Sequence, residues 1–140
     1  MSEANRISLD ATGNATIGAE HQVQTRLARA LEKSLGSGDP DGDAAEILEQ
    51  LRIFTSAHFL SEQLLMRLHG YAKYEKHCQE HNALLDLLDS VRQGFETWST
   101  DQKLVRFKIF SDRIRDHIDH SDLELERFVS LTESRYNEIR

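Results

Sequence analysis

One cysteine, one proline and seven glycines in 140 residues leave this chain few means to staple or interrupt itself. A lone Cys78 excludes an internal disulfide and fits a reducing compartment. So little Pro and Gly argues against many short strands joined by turns and favours long helices. No apolar run approaches the ~18 residues of a membrane span. The opening stretch MSEANRISLDATGNATI has neither the basic start nor the apolar centre of a secretory signal. A cytoplasmic chain with no membrane partner is therefore expected. Positive charge is also scarce: 17 Lys and Arg face 24 Asp and Glu, for a net charge of −7, and no basic run offers a path for a phosphate backbone. That argues against a nucleic-acid partner. What is present is a globular balance of 39% hydrophobic and 29% charged residues, enough for one domain with a single core, together with seven histidines.

Apolar residues recur at three- and four-residue steps in four stretches. His21, Gln24, Ala28, Leu31 and Leu35 mark a helix over about 19–35, before the Gly- and Asp-rich loop around Pro40. Asp43 is a candidate N-cap for a second helix, which runs over about 44–69 with Gly70 as its stop. A third stripe runs from Tyr74 to Val91 and closes at Gly94. The fourth runs from Leu104 to Phe128, with Ser99 or Thr100 as cap and Gln102 in reach of a capping box. Each stripe needs partners to leave water, so the expected fold is all-α: an antiparallel up-down-up-down four-helix bundle over residues 18–134. Residues 1–17, with their Gly, Asn and Ser, are expected as an extended N-terminal arm.

The stripes carry residues that a core does not want. Burying His, Glu and Asp costs several kcal/mol unless each is paired or ligates a metal. His58-x-x-x-Glu62 and His77-x-x-x-His81 are i, i+4 pairs, whose members differ by only ~40° around a helix and so aim at one point. His117 and Asp122 add an i, i+5 pair, and His21 a lone imidazole. One such pair is weak evidence of a metal site, but the whole set on four consecutive stripes is strong. Nitrogen-rich with two carboxylates, it suits iron, manganese or zinc better than calcium.

The order His21, His58-x-x-x-Glu62, His77-x-x-x-His81, His117-x-x-x-x-Asp122 resembles the hemerythrin family in its bacterial form. So do the strings IGAEHQVQ, HFLSEQLLMRLHGY and YEKHCQEH, and the fifteen-residue step from Glu62 to His77. The resemblance covers about residues 17–131. It implies two iron ions (Fe2+/Fe3+) with a bridging oxo or hydroxo group: His77, His81 and His117 on one, His21 and His58 on the other, Glu62 and Asp122 across both. Two octahedral ions so held leave a single position open, on the ion with two histidines, and the implied partner is dioxygen, bound reversibly for carrying, storage or sensing. The four carboxylates of ferritin-like di-iron enzymes are absent, which points to a binding protein and not an enzyme. The alternatives are a peroxide- or nitric-oxide-scavenging di-iron protein, or an iron-storage or metal-binding module. A sensor would need a separate signalling partner, and the chain itself is expected as a monomer or weak homo-oligomer. The sequence departs from the family at Gly18, where an Asp is usual three residues before His21, and at Arg113, where a Trp is usual four before His117.

Phe59, Ile114 and Ile118 are expected to wall the oxygen pocket beside His21 and His58. Gln24 sits at the centre of the first stripe and must find a partner: either its amide ties down the backbone of the N-terminal arm, or its NH2 faces the pocket. Asp122 lies ~140° out of phase with His117 on a regular helix, so either its side chain reaches round or the helix widens into a π-turn. Ser121 and Leu125 continue the regular stripe, which favours the reach. His120 falls on a charged flank, His69 at a helix end, Cys78 in packing on a flank, and Trp98 in a loop that it anchors.

Overall fold

The structure, a computed structural model, describes residues 12–37 and 43–139. Helices α1 (Thr12–Gly36), α2 (Asp43–Leu68), α3 (Tyr74–Gly94) and α4 (Thr100–His117) follow one another, and no strand occurs among the described residues. A π-turn (Ile118–Asp122) carries α4 into α5 (Leu123–Ile139), so the fourth helix is a long rod with one widened turn. α1 packs on α2, α2 on α3, α3 on α4 and α4 back on α1, which closes the ring of the four-helix bundle. No helix among the described residues is long and apolar enough to cross a membrane.

The punctuation follows local chemistry. Gly70 takes a φ of 63°, the left-handed conformation that ends α2 and that other residues adopt at a cost. Ser99 caps α4 by accepting from the Gln102 backbone N–H, while the Gln102 side chain accepts from the Ser99 N–H. The Trp98 indole lies flat against Gly94, where a Cβ would overlap it, and so ties the α3–α4 loop to the bundle.

Two expectations need correction. Residues 12–17 are helical, not an extended arm. Gly13 and Asn14 are poor helix formers, but Ile17 is buried in a cluster with Leu65, Met66, Tyr71, Leu125 and Val129, and that burial outweighs local preference. The rest of the expected arm, residues 1–11, lies outside the described residues. The second correction concerns Asp122, which is delivered by a π-turn and not by a long reach. Ser121 remains on the face of His117, where its hydroxyl donates to Glu80 at 2.6 Å, and the extra residue in the turn rotates Asp122 inward.

Burial along the bundle is layered. One apolar cluster joins Leu31, Leu51, Leu88, Phe107 and Phe110, and the cluster around Ile17 and Val129 fills the opposite end. The seven candidate ligands lie where these clusters meet, with Phe59, Cys78 and Ile118 interleaved among them in sequence. The bundle thus holds a polar layer between two apolar ones.

Candidate metal centre

Each helix supplies its ligands by its period. His58 and Glu62 sit one turn apart on the inner face of α2, and His77 and His81 one turn apart on α3; all four are buried. His21 comes from α1, and His117 and Asp122 from either end of the π-turn. Together they form two groups whose ligand atoms all lie within 4.8 Å of one another: Glu62, His77, His81, His117 and Asp122, and His21, His58, Glu62 and Asp122. The carboxylates are common to both.

They divide their oxygens between the groups. Glu62 Oε1 is 3.0 Å from His77 Nε2 and 2.8 Å from His81 Nε2, while its Oε2 is 3.1 Å from both His21 Nε2 and His58 Nε2. Asp122 Oδ1 lies 3.0 Å from His77 Nε2 and 3.1 Å from His117 Nε2, and its Oδ2 is 2.9 Å from His21 Nε2. Two ligand atoms at right angles, each ~2.1 Å from an ion, would themselves be ~3.0 Å apart, so these separations match the spacing of adjacent ligands around an octahedral ion. Moreover, His58 Nε2, His117 Nε2 and both oxygens of Asp122 are buried without an aligned hydrogen bond, although each has a neighbour near 3 Å. Orphaned atoms that converge in this way fit a pair of ions far better than a hydrogen-bond network.

The other ring nitrogens are held from outside. His58 Nδ1–H donates to Glu20 at 2.9 Å and His117 Nδ1–H to Glu80 at 2.8 Å, which turns each Nε2 inward. The Gln63 amide lies 3.3 Å from His81 Nδ1. These acceptors were not anticipated from the sequence, yet it holds a trace of them: Glu20 directly precedes His21 and Glu80 directly precedes His81. In each case the glutamate serves a histidine on the neighbouring helix.

Electrostatics bind the layer together. Burial opposes charge on His21 and His77, yet Asp122 and Glu62 outweigh it and hold both rings up at about 9. Burial also works against the carboxylates, but the surrounding imidazoles keep Glu62 and Asp122 well below their usual range. His81 goes the other way, pushed down by burial despite Glu62.

The family model for the hemerythrin HHE cation binding domain matches residues 12–129. The chain belongs to the hemerythrin family. Over 48 residues, 34% of the chain, it is 42% identical to hemerythrin of Phascolopsis gouldii and equally to hemerythrin subunit 2 of Golfingia vulgaris. Over 59 residues, 42% of the chain, it is 39% identical to hemerythrin of Themiste dyscrita. These matches span 42% to 46% of the relatives' own length, so the chain matches less than half of each. No solved structure matches it.

The expected pocket residues of this hemerythrin-family chain divide. Gln24, Ile114 and Ile118 line one cavity of about 260 Å³ between α1 and α4, together with Ala28 and Ser111. Phe59 is not among its walls: its ring stacks on His81 at 3.8 Å and 4° and meets His117 edge-on, in the three-histidine group. Gln24 takes neither of its expected partners. Its NH2 donates to Thr55 Oγ1 of α2 at 3.0 Å, and its buried Oε1 has no partner. Thr55 stands one turn before His58 on the buried face of α2, which places it opposite Gln24 across the α1–α2 contact. The remaining residues are peripheral: His120 is exposed, His69 Nδ1 lies 3.0 Å from the Leu65 carbonyl, and Cys78 packs at the edge of the Ile17–Val129 cluster.

Proposed function

We propose that the chain holds two iron ions joined by an oxo or hydroxo bridge and binds dioxygen reversibly. The observation that carries this is the unequal division of the layer: two shared carboxylates, three imidazoles on one side and two on the other. His77, His81 and His117 would hold one ion with the shared carboxylates, and His21 and His58 would hold the other with one protein ligand fewer, which would leave it room for a further ligand. When bound, the reduced iron pair supplies the two electrons that dioxygen takes up.

The protein's part is to hold, orient and exclude. Glu20 and Glu80 fix the tautomers of His58 and His117, so their Nε2 lone pairs point into the layer. Phe59 packs flat on His81 and bars water from that side. Ile114, Ile118 and Ala28 make the apolar part of the cavity between α1 and α4, which Arg29, Glu32, Arg115 and Asp119 also line, and in this reading a small neutral gas enters by it. One observation favours a second reading, repeated consumption of peroxide: Gln24 Oε1 and Ser111 Oγ are buried without partners, both residues line that cavity, and they admit a proton-carrying ligand or water.

The test is iron content and the visible spectrum in air, before and after dithionite. About two irons per chain, with a colour that air restores after reduction, is the expected result. Stoichiometric zinc with almost no iron, in protein grown with ample iron, overturns it. Repeated peroxide consumption by the reduced protein, with no air-formed colour that persists, selects the second reading.

A further inference from the structure

Helix α2 has two faces. The inner one carries His58 and Glu62; the outer one carries Ile53, Leu60, Leu64 and Leu68, which are between 54% and 72% exposed, with exposed Ala57 among them. At ~100° per residue, all five fall within about 60° of the direction of Ile53, and the steps from Ile53 through Ala57 and Leu60 to Leu64 are four, three and four residues. That is the seam of a coiled coil, which no solvated single helix needs. The contrast with α3 is plain, since α3 has no large exposed hydrophobic residue.

The same stripe is charged oppositely at its two ends. Glu46 and Glu49 lie on it toward the N-terminus, Glu49 also 2.8 Å from Arg52 of the same helix, and Arg67 lies on it toward the C-terminus, all three exposed. We propose that a second copy of this chain docks here, α2 against α2, antiparallel about a two-fold axis between Ala57 and Leu60. The stripe is complementary to itself in that arrangement. Each Ile53 meets a Leu64 and each Ala57 a Leu60, because both pairs share one midpoint along the helix. The acidic end of either helix lies along the Arg67 end of the other. A parallel pair would set Glu on Glu and Arg on Arg. Ala57 at the centre lets the backbones approach closely.

The exposed parts of these side chains amount to roughly 400–500 Å² per copy, below the ~800 Å² per partner of a standard stable interface. The dimer is therefore weak and reversible. It forms on the face of α2 opposite the metal layer, so it does not depend on what that layer binds.

Sedimentation velocity of the full metal-loaded chain, from micromolar to near-millimolar concentration, tests this. The wild type should pass from monomer to dimer. Leu60→Glu with Leu64→Glu should remain a monomer throughout, with unchanged helicity and metal content because both sites face solvent. Arg67→Glu should weaken the dimer about tenfold, and adding Glu46→Arg should restore it. A wild type that is monomeric at every concentration overturns the proposal. So does a dimer whose constant is unchanged by the Leu60/Leu64 substitutions, since its interface then lies elsewhere.

Discussion

The two halves of the polar layer are built alike and finished differently. In both, a glutamate that precedes one ligand fixes the ring of a histidine on the next helix: Glu20 takes His58, and Glu80 takes His117. The three imidazoles of the half from α3 and α4 are each at most 3% exposed in their side chains and Phe59 lies flat on one of them, while a groove of about 390 Å³ between the two helices reaches His117. The half from α1 and α2 stays looser. The His21 side chain is 16% exposed although His58 is fully buried, and the next turn of α1 carries Gln24, which borders a cavity and whose buried oxygen has no partner.

Glu62 is the residue on which both halves depend, since its oxygens face four of the five imidazoles. Glu62→Ala should abolish metal binding in both and remove roughly 3–5 kcal/mol of stability, because it strands buried imidazoles with an uncompensated charge. Metal analysis and thermal unfolding would show it. A variant that keeps either ion would mean that Asp122 alone can hold the halves together.

A smaller effect should separate the halves. His21→Ala should keep about one iron per chain, in the three-histidine half, while His81→Ala should lose both ions, because it also opens a cavity beneath Phe59. Equal losses in the two variants would erase the distinction.

Protons give a finer probe. His21 and His77 are raised from the usual 6.5 to about 9 by the two carboxylates. In the metal-free protein their contribution to stability is full below 6.5 and fades as the pH rises toward 9. Glu62 and Asp122 are lowered, so their contribution fades only as the solution becomes strongly acidic. Metal must displace the protons on the rings, so loading near neutral pH should release protons and apparent affinity should rise toward pH 9. Calorimetry in two buffers of different ionisation enthalpy would measure the release. An affinity flat over this range would count against the paired geometry.

The smallest change falls on Gln24. Gln24→Leu removes a buried oxygen that has no partner and frees the Thr55 hydroxyl to bond its own helix, so stability should move by less than ~1 kcal/mol. Iron content should stay the same, and the air-formed colour should fade more slowly because the cavity is drier. Decay at the wild-type rate would make Gln24 a strut between α1 and α2 and nothing more.

What the sequence determined by itself is everything that repeats with the helical period. The four stripes, Gly70 as a stop, the Ser99 box, and the pairs His58/Glu62 and His77/His81 are local, because residues four apart share a face wherever the helix is placed. Tertiary structure decided the rest. Ile17 drew the start of α1 into a helix that Gly13 and Asn14 do not favour. Asp122 reached the layer only through a π-turn, since a regular helix with His117 facing inward turns residue 122 away. Gln24 found Thr55, and His58 and His117 found Glu20 and Glu80, on helices distant in sequence. Such partners depend on how far one helix slides along another, and helix register is set by the packing of the whole core and not by the spacing within any one stripe.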